Sequence, residues 1–330
     1  MPEQICPNSA EEVRVTQPDA ADRQAIRTGV AAMLAATVVW MMIPILVKVA
    51  LRAFDPITIS ATRLPVATLL LALLHHARGG RLRDLVPCSG WHLLGGIALG
   101  VNYQLYALGM SLTTAGAGTV MIQVQIVTLV LLARWVLGER LSAVKLAAIA
   151  CVIAAGALLL AAPGALDELT ASSYRAGNLV MIAASVGFGI YGLTSRALAG
   201  GHGPGRGAAL KIAVPILAIA SVVNLCLLPF ARRPDSVSLD TVAALAALGV
   251  IGTAANYALM TVAFRRLSAA TAGTITALTP SGAIVLAALT LGEPVPLSVV
   301  AAAAIVTAAL LVFMWDERRA AGPARVRTEP

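Results

Sequence analysis

Residues 95–142 read GGIALGVNYQLYALGMSLTTAGAGTVMIQVQIVTLVLLARWVLGERLS, and residues 249–296 read GVIGTAANYALMTVAFRRLSAATAGTITALTPSGAIVLAALTLGEPVP. A shift of 154 positions lays Gly95 on Gly249, Asn102 and Tyr103 on Asn256 and Tyr257, and Gly138 and Glu139 on Gly292 and Glu293. Between these anchors one further residue of shift brings Gly118 and Thr119 onto Gly273 and Thr274. Each copy is two long apolar runs closed by Gly-Glu. An apolar helix pair that occurs twice around an Asn-Tyr is most simply read as a duplicated membrane bundle.

The duplication reaches further toward the N-terminus at a shift of 148, where Gly29, Met33, Trp40, Lys48 and Arg63 fall on Gly177, Met181, Phe188, Arg196 and Lys211. The units therefore span 28–162 and 176–315, between polar tails at 1–27 and 316–330 that are read as disordered and cytoplasmic. Composition agrees with a bilayer as solvent. Hydrophobic residues make up 58% of the chain and charged ones 12%, against about 25% charged in an ordinary soluble domain. Mean hydropathy is +0.85.

A span needs about 20 mostly apolar residues. Ten windows qualify, near 30–50, 57–76, 92–111, 116–137, 144–162, 177–197, 208–230, 242–264, 269–291 and 297–315. Eighteen of the 24 basic residues lie on one side of the alternating loops, the side that holds both termini. Basic loops stay in the cytoplasm, so both termini are expected there, in a cytoplasmic (inner) membrane. Five spans per unit force the second unit to enter from the opposite face. The expected fold is an all-α membrane protein of ten transmembrane helices in two inverted five-helix repeats, an arrangement that puts a site near mid-membrane between the repeats.

Several residues resemble the EamA family of the drug/metabolite transporter superfamily. They are Trp40, Pro44 and Lys48 at four-residue spacing, Arg63, the Thr114-Ala115-Gly116 entry to the fourth span, and Gly138-Glu139-Arg140-Leu141-Ser142 at its close. The second copy holds Pro280 thirteen residues before Glu293, as the family does; the first has Ile126 where that proline would sit. Gln123-Val124-Gln125 just before it is similar to the family's amino-acid and metabolite exporters. The resemblance implies a ten-helix carrier working by alternating access.

The acidic residues between the tails all lie in loops or at span ends. A carrier that exchanges protons for lipophilic cations keeps a carboxylate at depth, so carboxylate-based antiport is not expected and the site is read as neutral. Its candidates are Trp40, Asn102, Tyr106, Thr119, Gln123, Asn256 and Thr274, because amides, hydroxyls and aromatic rings at depth must find partners. Such amides also serve as interhelical glue. Glu139 and Glu293, closing the fourth and ninth spans at opposite faces, are candidate gates as well as plain ion-pair formers. Tyr103 and Tyr257 lie on the next helical face and are read as packing. For Lys48, Arg63, Arg196 and Lys211, anion steering and snorkelling to headgroups stay open. Pro44, Pro65, Pro215 and Pro280 should kink their spans.

The function expected is export of a small metabolite, an amino acid or derivative, with the substrate and the lipid bilayer as partners and no nucleic acid. A lipid-linked sugar flippase, or a sugar or nucleotide-sugar carrier of the same fold, is the alternative. A membrane enzyme fits poorly, because His75, His76, His92 and His202 sit at span ends or in a loop. Isolated Cys6, Cys88, Cys151 and Cys226 offer neither a metal site nor a disulfide framework. No catalytic residue, cofactor or metal is expected, and monomer and dimer are both open, since one chain already holds both units.

Overall fold

A computed structural model of the chain describes residues 20–87, 89–138, 141–161, 171–201, 208–234, 236–267, 269–293 and 295–320. Among these residues every regular element is helical. Ten stretches are long and apolar enough to cross a bilayer: Gln24–Ala50, Pro56–Ala77, Gly90–Leu112, Ala115–Val136, Ala143–Ala161, Ser172–Ala199, Ala208–Phe230, Leu239–Phe264, Thr271–Leu291 and Leu297–Asp316, here spans 1 to 10. They match the windows read from the sequence to within a turn or two. The first helix begins at Ala20 and the last runs to Ala320, so each enters a stretch expected to be tail.

Local chemistry sets the span ends. Asp55 caps span 2 by accepting from the Thr58 N–H at 2.8 Å, with Pro56 at the first helical position, where its missing donor costs nothing. Spans 4 and 9 are each followed by a glycine in the left-handed region, Gly138 at φ +71° and Gly292 at φ +65°. A side chain is disfavoured there, which gives the duplicated Gly-Glu its structural half.

The repeats interlock. Span 3 packs on spans 6 and 7, and span 4 on span 6. Exchanging the repeats turns these pairs into span 8 on spans 1 and 2, and span 9 on span 1, and these are also observed. Spans 2 and 7, 4 and 9, and 5 and 10 pair with their own counterparts. These exchange-related pairs are what a two-fold relation between inverted units requires. The close approach of spans 3 and 7 depends on Gly96 and Gly100. A Cβ on Gly96 would stand 3.0 Å from the Ile216 carbonyl oxygen, and one on Gly100 3.2 Å from the Ala220 Cα. Outward, Leu69, Leu73, Val285 and Leu289 are among many large apolar side chains more than half exposed, a surface that suits lipid and not water. The chain is a multi-pass membrane protein.

Three spans are interrupted. Span 4 consists of helices Ala115–Met121 and Val124–Val136, with a turn at Ile122 and Gln123. Span 9 turns at Ala277 and Leu278 before helix Thr279–Leu291. The two turns are 155 positions apart, so the breaks are related by the duplication. In this register Pro280 is matched by Gln125, not by Ile126. Span 4 makes its break without proline, tightening to i→i−3 bonds from Gln123 N–H to Val120 and from Ile126 N–H to Gln123. Pro44, Pro65 and Pro215 lie within continuous helices; of the four prolines, Pro280 alone marks a break. Span 8 widens into a π-helix over Val250–Ala255, with no counterpart in span 3, where Gly90–Leu112 is a continuous α-helix.

Candidate functional site

At the π-helix of span 8 the structure gathers its most polar interior. Arg63, from span 2, is 5% exposed. Its Nε donates to Thr253 Oγ1 at 2.7 Å and its Nη2 to the Gly252 carbonyl at 3.3 Å. The Thr253 hydroxyl itself donates to the Leu248 carbonyl, five residues back, in the wide register of the π-helix. Gly252 lies about 20 Å along span 8 from Leu239 and about 18 Å from Phe264 at 1.5 Å per residue. The guanidinium is therefore near mid-bilayer and does not snorkel to a headgroup.

Aromatic rings complete this interior. The Arg63 guanidinium lies 4.7 Å from the Tyr103 ring centroid, a cation–π geometry. Tyr191 and Tyr257 pack against the same part of the core as Tyr103. Phe188 meets Tyr191 edge-to-face at 5.3 Å. Tyr103 thus stacks on the buried arginine, and Tyr191, Tyr257 and Phe188 share its part of the core. All four rings are partly buried. Tyr103 and Tyr257, read from the sequence as packing residues, belong to this cluster. Two signals could have found it: Arg63 sits two turns inside its span, and no acidic residue in the chain lies at that depth.

The sequence-derived candidates are distributed around this centre. Asn102 donates to the Ala184 carbonyl at 2.7 Å, tying span 3 to span 6. Its counterpart Asn256 is 3% exposed and its amide oxygen has no partner among the described residues. Tyr106, half-buried, packs against a neighbouring part of the apolar core. Trp40, half-buried, bridges two parts of the apolar core from span 1. Thr119 is buried and spends its hydroxyl on the Ala115 carbonyl. Gln123 sits at the break of span 4, 6% exposed, and accepts a long bond from Gln125 at 3.5 Å. Thr274, half-buried, lies on the first half of span 9. Among the described residues no group of His, Cys, Asp and Glu could hold a metal ion.

One end of the bundle is tied across the repeats. Both carboxylate oxygens of Glu293 accept from the Ala115 N–H, at 2.9 and 3.1 Å, so a residue after span 9 caps the start of span 4. A narrow cleft lies beside it, lined by Thr114, Gly116, Ile284, Ala287 and Val299. At the same end Lys48 Nζ donates to the Thr113 carbonyl, and the Thr113 hydroxyl donates to Asn178 Oδ1 at 2.7 Å. Spans 1, 3, 4, 6 and 9 meet there. At the opposite end Lys211, the counterpart of Arg63, pairs with Asp84 at 3.3 Å. Glu139 lies outside the described residues.

Interlocked inverted repeats with interrupted spans and a polar centre define a membrane-carrier fold. The EamA-like transporter family matches residues 27–161 and again 175–315, and the chain belongs to it. A protein named "Probable terminal-alkyne amino-acid exporter", from Streptantibioticus cattleyicolor, is 29% identical over 308 residues, covering 91% of this chain and 96% of that one. A protein of known crystal structure, 19% identical, superposes with a TM-score of 0.63 over 90% of this chain and 99% of its own, a likeness of fold.

Proposed function

We propose that this transporter exports a small metabolite, an amino acid or a derivative of one, across the cytoplasmic membrane by alternating access, with both termini inside. The observation that carries this reading is the pair of breaks in spans 4 and 9. They fall at duplication-related points beside a polar, carboxylate-free interior. Interrupted helices at a repeat interface free backbone groups for a ligand where lipid cannot satisfy them. The similarity to a probable amino-acid exporter over nearly the whole chain supports the substrate class.

In this reading Gln123, at the span 4 break, and Thr274, before the span 9 break, face the substrate path together with Trp40, Tyr106, Thr119 and Asn102. The unpartnered amide oxygen of Asn256 accepts from a substrate ammonium. The end closed by Glu293 is the extracellular one, and the Glu293–Ala115 contact is its gate; Glu139 is the corresponding gate inside. One chain supplies both halves of the site, so a monomer suffices.

The test is efflux from proteoliposomes loaded with single amino acids, sugars or lipophilic cations, with and without a pH gradient. Export of one or more amino acids is expected. Transport confined to lipophilic cations and driven by protons, or to sugar conjugates, would overturn the proposal.

A further inference from the structure

A permanently charged guanidinium near mid-bilayer is expensive unless its charge is matched. Two other basic residues of this fold meet acids: Lys211 pairs with Asp84, and Arg52 with Asp240 at the exposed end of span 8. Arg63 has no such remedy. Its two hydrogen-bond partners are a neutral hydroxyl and a neutral carbonyl, and its aromatic neighbour is neutral too. Among the described residues no carboxylate pairs with it. Of the five N–H donors a guanidinium carries, protein acceptors take two. Among the described residues none supplies the negative charge that would complete the site.

We infer that Arg63 is the receptor for a carboxylate on the substrate, with the Tyr103 ring forming one wall of that subsite. The inference rests on the transporter reading above and narrows its substrates to small organic carboxylates, amino acids among them, while excluding cations that lack a carboxylate. The geometry suits the task. Nε and Nη2 hold the fork against the π-helix, so its plane is fixed before the ligand arrives and little ordering is left for binding to accomplish. Guanidinium forks match carboxylates bidentately. The Tyr103 hydroxyl can add a further donor, and its ring can cover the apolar part of the ligand.

The inversion makes the subsite one of a kind. Repeating the same architecture at Lys211 gives a cation already neutralised by Asp84 at the membrane face. Of this duplication-related pair, Arg63 alone presents its charge to the interior without an acid beside it.

The test compares an amino acid with its amide, which lacks the anionic group at nearly constant shape, by counterflow into proteoliposomes and by the ligand-induced rise in melting temperature of the purified full chain. Wild type should carry and be stabilised by the acid and discriminate against the amide. Arg63→Gln should lose acid transport by about 10- to 100-fold, the worth of a charge-assisted bond, and its acid-to-amide ratio should fall toward one. Arg63→Lys should recover part of that ratio, because it restores charge without the fork. Lys211→Gln should leave the ratio unchanged. A folded Arg63→Gln that still distinguishes acid from amide overturns the inference. If that variant does not fold, wild type accepting amides as readily as acids overturns it. Should no amino acid be exported, a carboxylate that stabilises wild type but not Arg63→Gln would sustain this inference while the export reading fell; stabilisation by no carboxylate would end both.

Discussion

Glu293 gives the sharpest handle on the transport cycle. Its carboxylate accepts the Ala115 N–H through both oxygens, and this N–H belongs to the first turn of the helix Ala115–Met121, where no intrahelical partner exists. A hydrogen bond to a charged group contributes about 1.5–3 kcal/mol. Glu293 is half-buried, so the lower part of that range applies, about 2 kcal/mol. Glu293→Gln keeps one acceptor oxygen but loses the charge, and a neutral bond is about half as strong. The closed end should therefore weaken by about 1 kcal/mol, a factor of about five in the open-to-closed ratio. Glu293→Ala removes the bond entirely, for about 2 kcal/mol and a factor of about thirty. Val299 reports the change, since it is 3% exposed and lines the cleft beside Glu293. With Cys6, Cys88, Cys151 and Cys226 replaced by alanine, Val299→Cys can be modified by a membrane-impermeant maleimide added outside whole cells. Its rate should rise in the order wild type, Gln, Ala, by these factors. Equal rates in all three backgrounds would refute the idea that this contact holds the end shut, and reaction only in inverted vesicles would refute the assigned orientation.

Three further perturbations probe other parts of the account. Gln123→Ala should impair transport while leaving the melting temperature in detergent unchanged, because its side chain sits at the break of span 4 and makes only one long bond; unimpaired transport would remove it from the site. Asn102→Ala should destabilise the purified protein by about 1–2 kcal/mol, visible as a lower melting temperature, since it deletes the tie to Ala184. The hydrogen bond from Lys211 holds the Asp84 carboxyl below its ordinary value of 3.8, so this contact stabilises above that value and is lost as pH falls through the lowered one. Wild type and Asp84→Asn should differ in melting temperature at neutral pH and converge at the acidic end of a titration.

The span pattern was legible because a bilayer imposes one length and one chemistry on every crossing, and the duplication supplied register. Gly138 and Gly292 could be read as punctuation for the same reason, as could Pro280. The break at Gln123 could not. It contains no proline, and the one-residue slip of register that the sequence shows between Asn102 and Gly118 does not by itself announce a turn there. Nor does composition announce the π-helix of span 8, since Val-Ile-Gly-Thr-Ala-Ala carries no propensity for five-residue spacing.

Arg63 was the hardest residue to place from the chain alone, for a geometric reason. An arginine two turns inside a span has a side chain long enough to reach either the headgroups or the centre, so its Cα position leaves the charge undetermined. The deciding element lies 189 positions away, where the π-helix turns the Gly252 carbonyl toward the guanidinium. The same π-helix is what separates the two repeats chemically. Span 3 stays regular, and the counterpart cation stays at the membrane face with Asp84; span 8 widens, and its cation turns inward without an acid. This asymmetry is what gives the proposed carboxylate subsite its place at Arg63 and not at Lys211.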